Sequence, residues 1–167
     1  TSSVEIYGEG SKTPMSESYA GYIDCNNARS GYNEAKRTCE ALCQSYRMQY
    51  GVDSVVVRLA RVFGADNKKD SKAMSQFMEK AVLGEDIILK SKGLQRYSYC
   101  YVADAASAII NVLINGKNGE SYNVADEDEN MTLGEYAEYI AGLSDRKVIM
   151  QIEDDKSVSK AMYALLD

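Results

Sequence analysis

Residues 54–59 read "SVVVRL", with three valines in a row and no polar residue between them. A strand with one wet face alternates apolar and polar positions. An uninterrupted β-branched run instead marks a strand buried on both faces, the habit of an inner strand in a parallel sheet. The flanking segments fit such a sheet. Residues 30–50 carry Tyr32, Ala35, Cys39, Leu42, Cys43, Tyr46 and Tyr50 at steps of three and four, an amphipathic helix ended by Gly51.

The same alternation continues along the chain. Residues 1–8 open as a short β-like run ending in glycine, and residues 9–27 are polar enough for a long surface loop. "FGADNKKD" is a loop, and residues 71–83 form a helix stopped by Gly84. "DIILK" and the tyrosine-rich "RYSYCYV" are strands, and "ADAASAIINVLI" is a helix. "ESYNVA" is a strand, and Thr132 with Glu135 forms a capping box that opens a further helix. "KVIMQI" and "SVSKAMYALL" close the chain as strand and helix. Strands alternating with helices throughout predict an α/β protein.

Composition narrows the chemistry. The chain has no histidine, so histidine triads, histidine-ligated zinc and histidine acid/base catalysis are excluded within it, and no metal-ligating set is read. Nineteen Lys+Arg against 25 Asp+Glu give a net charge of -6, which argues against a nucleic-acid partner. No apolar run approaches the about 20 residues a membrane helix needs. Cys25, Cys39, Cys43 and Cys100 form no C-x-x-C pair and are read as buried, reduced thiols of a cytoplasmic protein.

Tyr32 and Lys36 stand four apart on the predicted helix, so they share a face. A free tyrosine, with a pKa of about 10, is a poor base at neutral pH. A cation held nearby favours its phenolate and makes it usable for taking a proton from a hydroxyl. Spacing alone equally allows Tyr32 to be packing and Lys36 to reach solvent. At the N-terminus "SSVEIYG" leaves a serine and a glutamate at the carboxyl end of a strand, the edge where open α/β sheets bind ligands.

"SSVEIYG", "RSGYNEAKR", "VVVRLARVFG", "GLQRYSYCYVAD" and "GESYNVADEDENMTLGEYAEYI", in that order, resemble the extended short-chain dehydrogenase/reductase family. Its members are NAD-dependent sugar-nucleotide epimerases, dehydratases and decarboxylases. The resemblance implies that Ser3 is the catalytic serine bonding the sugar hydroxyl and that Tyr32 is the general base. It implies that Lys36 lowers the tyrosine pKa and contacts the nicotinamide ribose, and that chemistry runs through a 4-keto sugar. Within the family, Ser-x-Glu at Ser3 and Glu5 with "RSGYNEAKRTCEALC" looks most like the UDP-glucuronate decarboxylases, where the glutamate positions substrate or handles a proton. A UDP-hexose 4-epimerase and a non-catalytic binding protein of the same fold are the alternatives. Val4, where the dehydratases carry an aspartate, speaks against a standard dehydratase.

Two blocks depart from the family pattern. Arg61 replaces a substrate-facing asparagine; it can bind a diphosphate or sugar carboxylate, close the site, or form a structural ion pair. Arg96 stands one position before the family's diphosphate-binding arginine, whose place is taken by Tyr97, and one position on a strand changes the face. Substrate binding is therefore expected at Ser3, Arg61 and Arg96, and catalysis at Ser3, Glu5, Tyr32 and Lys36.

No G-x-G-x-x-G follows a first strand in these residues. The expectation is the C-terminal portion of a Rossmann-type fold with its small substrate-binding subdomain, lacking the N-terminal dinucleotide-binding strands. Residues 1–65 would end the Rossmann-like domain, and residues 66–167 would be mainly substrate-binding subdomain with returning Rossmann elements. NAD would belong to the full-length protein, with Tyr32 and Lys36 as contacts, and the piece alone would be inactive. A nucleotide-sugar substrate and a homodimer are the expected partners.

Overall fold

The computed structural model describes residues 1–65, 72–126, 131–152 and 162–167. Every paired strand runs parallel to its neighbour. β1 (Ser2–Ser3), β2 (Val56–Leu59) and β7 (Ser121–Val124) form one sheet in the order β1-β2-β7. Its register sets Ser3 beside Leu59 and Leu59 beside Val124, so the carboxyl ends of the three strands are level. Three two-stranded pairs complete the strands among the described residues. β3 (Arg61–Phe63) pairs with β6 (Tyr99–Tyr101), β4 (Ile87–Leu89) with β8 (Val148–Met150), and β5 (Arg96–Tyr97) with β9 (Tyr163–Ala164).

The α-helices among the described residues are α1 (Ser30–Tyr50), α2 (Ala73–Val82), α3 (Val102–Asn115) and α4 (Leu133–Leu143). α1 ends because Gly51 takes the left-handed conformation, φ 66°, that a side chain resists. α4 begins with the full capping box: the Thr132 hydroxyl accepts from the Glu135 amide, and the Glu135 carboxylate accepts from the Thr132 amide. The main core joins Val4, Ile6, Tyr7 and Met15 to Ala60, Met74, Tyr97, Tyr99 and Tyr136. A second core packs Phe77, Ile87, Leu89, Ala137 and Ala141 between α2, β4 and α4.

Several local expectations change. The N-terminal run is a strand for only Ser2–Ser3 and then turns into a 3-10 helix, Val4–Tyr7, because the Ser3 hydroxyl accepts the Glu5 amide as an N-cap. Glu5 therefore lies on that turn, not on the strand. "RYSYCYV" is broken at Ser98, so Arg96–Tyr97 and Tyr99–Tyr101 pair with different strands. Tyr163–Ala164 is a strand where a closing helix was expected, captured by pairing with β5; residues 157–161 of that stretch lie outside the described residues. So do residues 66–71 of the "FGADNKKD" loop and of the start of its following helix. The cysteines are unpaired thiols, but only Cys100 is buried, while Cys25 and Cys39 are exposed.

The largest change concerns α1. None of its residues is buried, and Tyr32, Leu42, Tyr46 and Tyr50 of its apolar row are all more than half exposed. The helix is attached through its polar row instead. Asn33 and Arg37 reach backbone carbonyls, Glu40 pairs with Arg58, and Gln44 donates to the Gly119 carbonyl. Periodicity identified the row correctly, yet it faces away from the described core.

Candidate functional site

The candidate site forms where β1 and β2 end side by side. Ser3 is the last residue of β1, and Arg61 follows β2 by two positions. That edge is where α/β sheets gather ligands. The 3-10 turn after Ser3 carries Glu5 to the same place, and the Glu5 carboxylate meets the Arg61 guanidinium at 3.5 Å. Glu5 is thus half-buried in an ion pair and is not a solvated strand end. The Arg61 guanidinium carbon also stands over the Tyr97 ring, 3.9 Å from its centre, a cation–π contact at close range. Its Nε is buried without a hydrogen-bond partner among the described residues.

Tyr32 and Lys36 come from the first two turns of α1. The Lys36 ammonium stands 5.8 Å from the centre of the Tyr32 ring and donates to the Thr1 carbonyl at 3.2 Å. Tyr32 itself is 55% exposed, so the residue is open to an approaching molecule. Lys36 thereby ties the helix pair to the start of β1, the strand that ends in Ser3. Glu5 and Arg61 thus meet beside Ser3, and Lys36, with Tyr32 next to it, is joined to the start of the same strand through Thr1.

Arg96 does not join them. Neighbouring residues on a strand face opposite ways, so with Tyr97 under Arg61, Arg96 turns to the other side. There its charge acts on Glu135, whose carboxyl is held low first by the Thr132 backbone hydrogen bond and only lastly by Arg96.

Sequence reasoning missed the aromatic floor of this region. Arg61, Phe63, Lys72, Met74, Tyr97 and Tyr99 line one small cavity. Tyr99 stacks edge-on against Phe63 at 6.2 Å and Tyr136 at 5.1 Å. Burial pushes the Tyr99 pKa up to about 12, against the opposing pull of the nearby Arg61. The signal available was the step of two between Tyr97 and Tyr99, which the break at Ser98 obscures.

The profile of the NAD dependent epimerase/dehydratase family matches residues 1–125. The chain belongs to that family. UDP-glucuronic acid decarboxylase 3 of Arabidopsis thaliana is 33% identical over 144 residues, covering 86% of this chain and 42% of that protein. UDP-glucuronic acid decarboxylase 1 of Danio rerio is 30% identical over 143 residues, covering 85% and 34% respectively. This epimerase/dehydratase chain therefore spans less than half the length of those curated relatives.

Among solved structures, dTDP-glucose 4,6-dehydratase of Bacillus anthracis in complex with NAD superposes with a TM-score of 0.80 at 22% identity, over 99% of this chain and 51% of that one. UDP-N-acetylglucosamine 4-epimerase of Methanobrevibacter ruminantium in complex with UDP-N-acetylmuramic acid gives 0.78 at 26% identity, over 99% and 52%. The architecture is that of the C-terminal half of a Rossmann-type epimerase/dehydratase. No helix among the described residues is long and apolar enough to cross a membrane.

Proposed function

We propose that the chain is part of an NAD-dependent nucleotide-sugar enzyme working through a 4-keto sugar, and that its substrate is UDP-glucuronate, which it decarboxylates. The observation that carries this reading is the Glu5–Arg61 pair beside Ser3. It brings one acid and one cation together at the sheet edge beside Ser3, and the guanidinium is the kind of group that binds a sugar carboxylate, which supports the reading. The similarity to the Arabidopsis decarboxylase over most of the chain supports the same choice.

In this reading Tyr32 acts as the phenolate, its negative charge stabilised by the Lys36 ammonium beside its ring, and takes the proton from the sugar 4-hydroxyl to become the neutral phenol. Ser3 hydrogen-bonds the sugar oxygen. Arg61 holds the carboxylate, and Glu5 sets the Arg61 orientation or moves a proton. The donors present fit the nicotinamide end of NAD, since the exposed Tyr32 and the Lys36 ammonium share one helix face. NAD, when bound, accepts and returns hydride at the sugar. Arg96 is kept out of the sugar site, because it faces away from Tyr97 and from the Arg61 guanidinium over that ring. The exposed apolar row of α1 supports a homodimer.

A binding protein that kept the fold and lost the chemistry is the second reading, favoured by the Glu5–Arg61 contact if that pair closes the site. Incubating the full chain with NAD and UDP-glucuronate separates the cases. Release of carbon dioxide supports decarboxylation. A C4 epimer of unchanged mass supports an epimerase. Inertness toward UDP- and dTDP-hexoses alike, with ligand affinity retained in Tyr32→Phe, supports the binding protein.

A further inference from the structure

The residues immediately following Tyr32 and Lys36 in the sequence, Asn33 and Arg37, both point into the turn that carries Ser3 and Glu5. The Asn33 side-chain amide donates to the Glu5 carbonyl at 2.7 Å. Arg37 Nε donates to the Ile6 carbonyl at 2.7 Å, and its Nη2 donates to the Ala20 carbonyl at 2.5 Å and to the Gly21 carbonyl at 3.3 Å. One guanidinium therefore fastens the turn after β1 and the loop at residues 20–21 to α1.

Those two segments already press on each other. Gly21 has φ 68°, and a Cβ there would sit 2.2 Å from the Tyr7 carbonyl oxygen. The Glu9 amide donates to the Tyr22 carbonyl, and the Gly8 amide closes the turn on the Glu5 carbonyl. Three carbonyls converging on one planar fork need the fixed geometry of arginine; a lysine ammonium is a single point that cannot span the same set.

We infer that Arg37, assisted by Asn33, is a positioning residue: it fixes how the helix bearing Tyr32 and Lys36 sits against the turn bearing Ser3 and Glu5. This rests on the reading of Ser3, Tyr32 and Lys36 as the reacting groups. Among the described residues their side-chain hydrogen bonds all go to backbone carbonyls, so they hold the two halves of the site in register without meeting substrate. A displacement of about 1 Å between such halves can cost a hundredfold in rate.

The test uses the full chain with Arg37→Ala, Arg37→Lys and Ser3→Ala, alone and combined. In Arg37→Ala the turnover number falls at least about tenfold with KM within twofold, and Arg37→Lys does not restore it. In the Ser3→Ala background the Arg37→Ala change adds little, since the group it positions is gone. Losses that simply multiply, or a turnover within twofold of the parent, overturn the inference. Amide exchange gives a readout independent of activity: the Gly8 and Glu9 amides exchange at least tenfold faster in both Arg37 variants. Unchanged exchange at those amides overturns the inference even if the parent turns over no nucleotide sugar, whereas faster exchange in an inactive parent sinks only the functional reading.

Discussion

Glu5 and Arg61, 56 positions apart in the chain, meet at 3.5 Å where β1 and β2 end, and the Arg61 guanidinium rests on the Tyr97 ring at 3.9 Å. The guanidinium is held on two sides, over the Tyr97 ring and through Nη2 against the Glu5 carboxylate. The ion pair is about one-third exposed on both sides, so by itself it adds little to stability.

That geometry separates a substrate ligand from a surface ion pair. Arg61→Asn should raise KM for UDP-glucuronate by roughly tenfold or more, the loss of a charge-assisted contact, and should affect a neutral UDP-hexose far less. Initial-rate measurements on the full chain with both substrates check this. Equal effects on the two substrates would remove Arg61 from carboxylate recognition.

Arg58 and Glu40 form the opposite kind of pair. They meet at 2.7 Å with side chains only 12% and 15% exposed. Arg58 also donates to the Tyr7 hydroxyl at 2.9 Å, which in turn donates to Asn123 at 2.7 Å. Burial works against the charge on Arg58, but the hydrogen bonds it donates to Glu40 and Tyr7 outweigh it, and its pKa is raised. Removing one partner of such a pair strands the other, so Glu40→Ala should cost about 3 kcal/mol in urea unfolding. Replacing both by Arg58→Met and Glu40→Leu should cost less than the single change. A single-variant loss below about 1 kcal/mol would show the pair to be well solvated in solution.

Tyr99 predicts a loss of stability in alkali. Its folded pKa is about 12, raised by burial from an ordinary 10.0. Below pH 10 both folded and unfolded chains keep the proton, and its contribution to stability is complete. Between roughly pH 10 and 12 the unfolded chain releases the proton while the folded chain retains it, so stability falls as pH rises, by roughly 2 to 3 kcal/mol from this group. Tyr7, raised by burial against the pull of Arg58, acts in the same direction. Tyr99→Phe should flatten the decline in unfolding free energy across that window. An unaltered pH slope in the variant would mean that Tyr99 is exposed to water.

Elements specified by neighbouring residues were legible in the sequence. The span of α1, its arrest at Gly51 and the Thr132–Glu135 capping box each depend on contacts within a turn or two. What depended on distant partners was not. Tyr163–Ala164 becomes a strand because Arg96–Tyr97 is there to pair with it, and Ser98 breaks a run whose two halves serve different sheets. Ser3, Tyr32 and Lys36 could be proposed because their spacing forms a motif. Arg37 could not, because a side chain that grips main-chain carbonyls leaves no pattern in the residues it holds. Nor could the Arg61–Tyr97 stack, which crosses between strands of different pairs.

The orientation of α1 carries the last prediction. Periodicity shows which side chains form a row and is silent on what covers it. Here Asn33, Arg37, Glu40 and Gln44 are the attached row, and Leu42, Tyr46 and Tyr50 stand 51%, 55% and 63% exposed. Tyr46 and Tyr50 pack ring to ring at 5.4 Å, which presents a preformed aromatic surface at the end of the helix. Large apolar side chains aligned along one helix mark an interaction face, and the same helix of a second copy offers a matching row. Sedimentation equilibrium on the full chain should therefore show a dimer, and Leu42→Glu with Tyr46→Glu should convert it to monomer by placing like charges opposite one another. The attached row is untouched by those changes, so the helix stays docked and circular dichroism should be unaltered. A parent chain that sediments as a monomer, or a double variant that remains dimeric, would place the contact elsewhere.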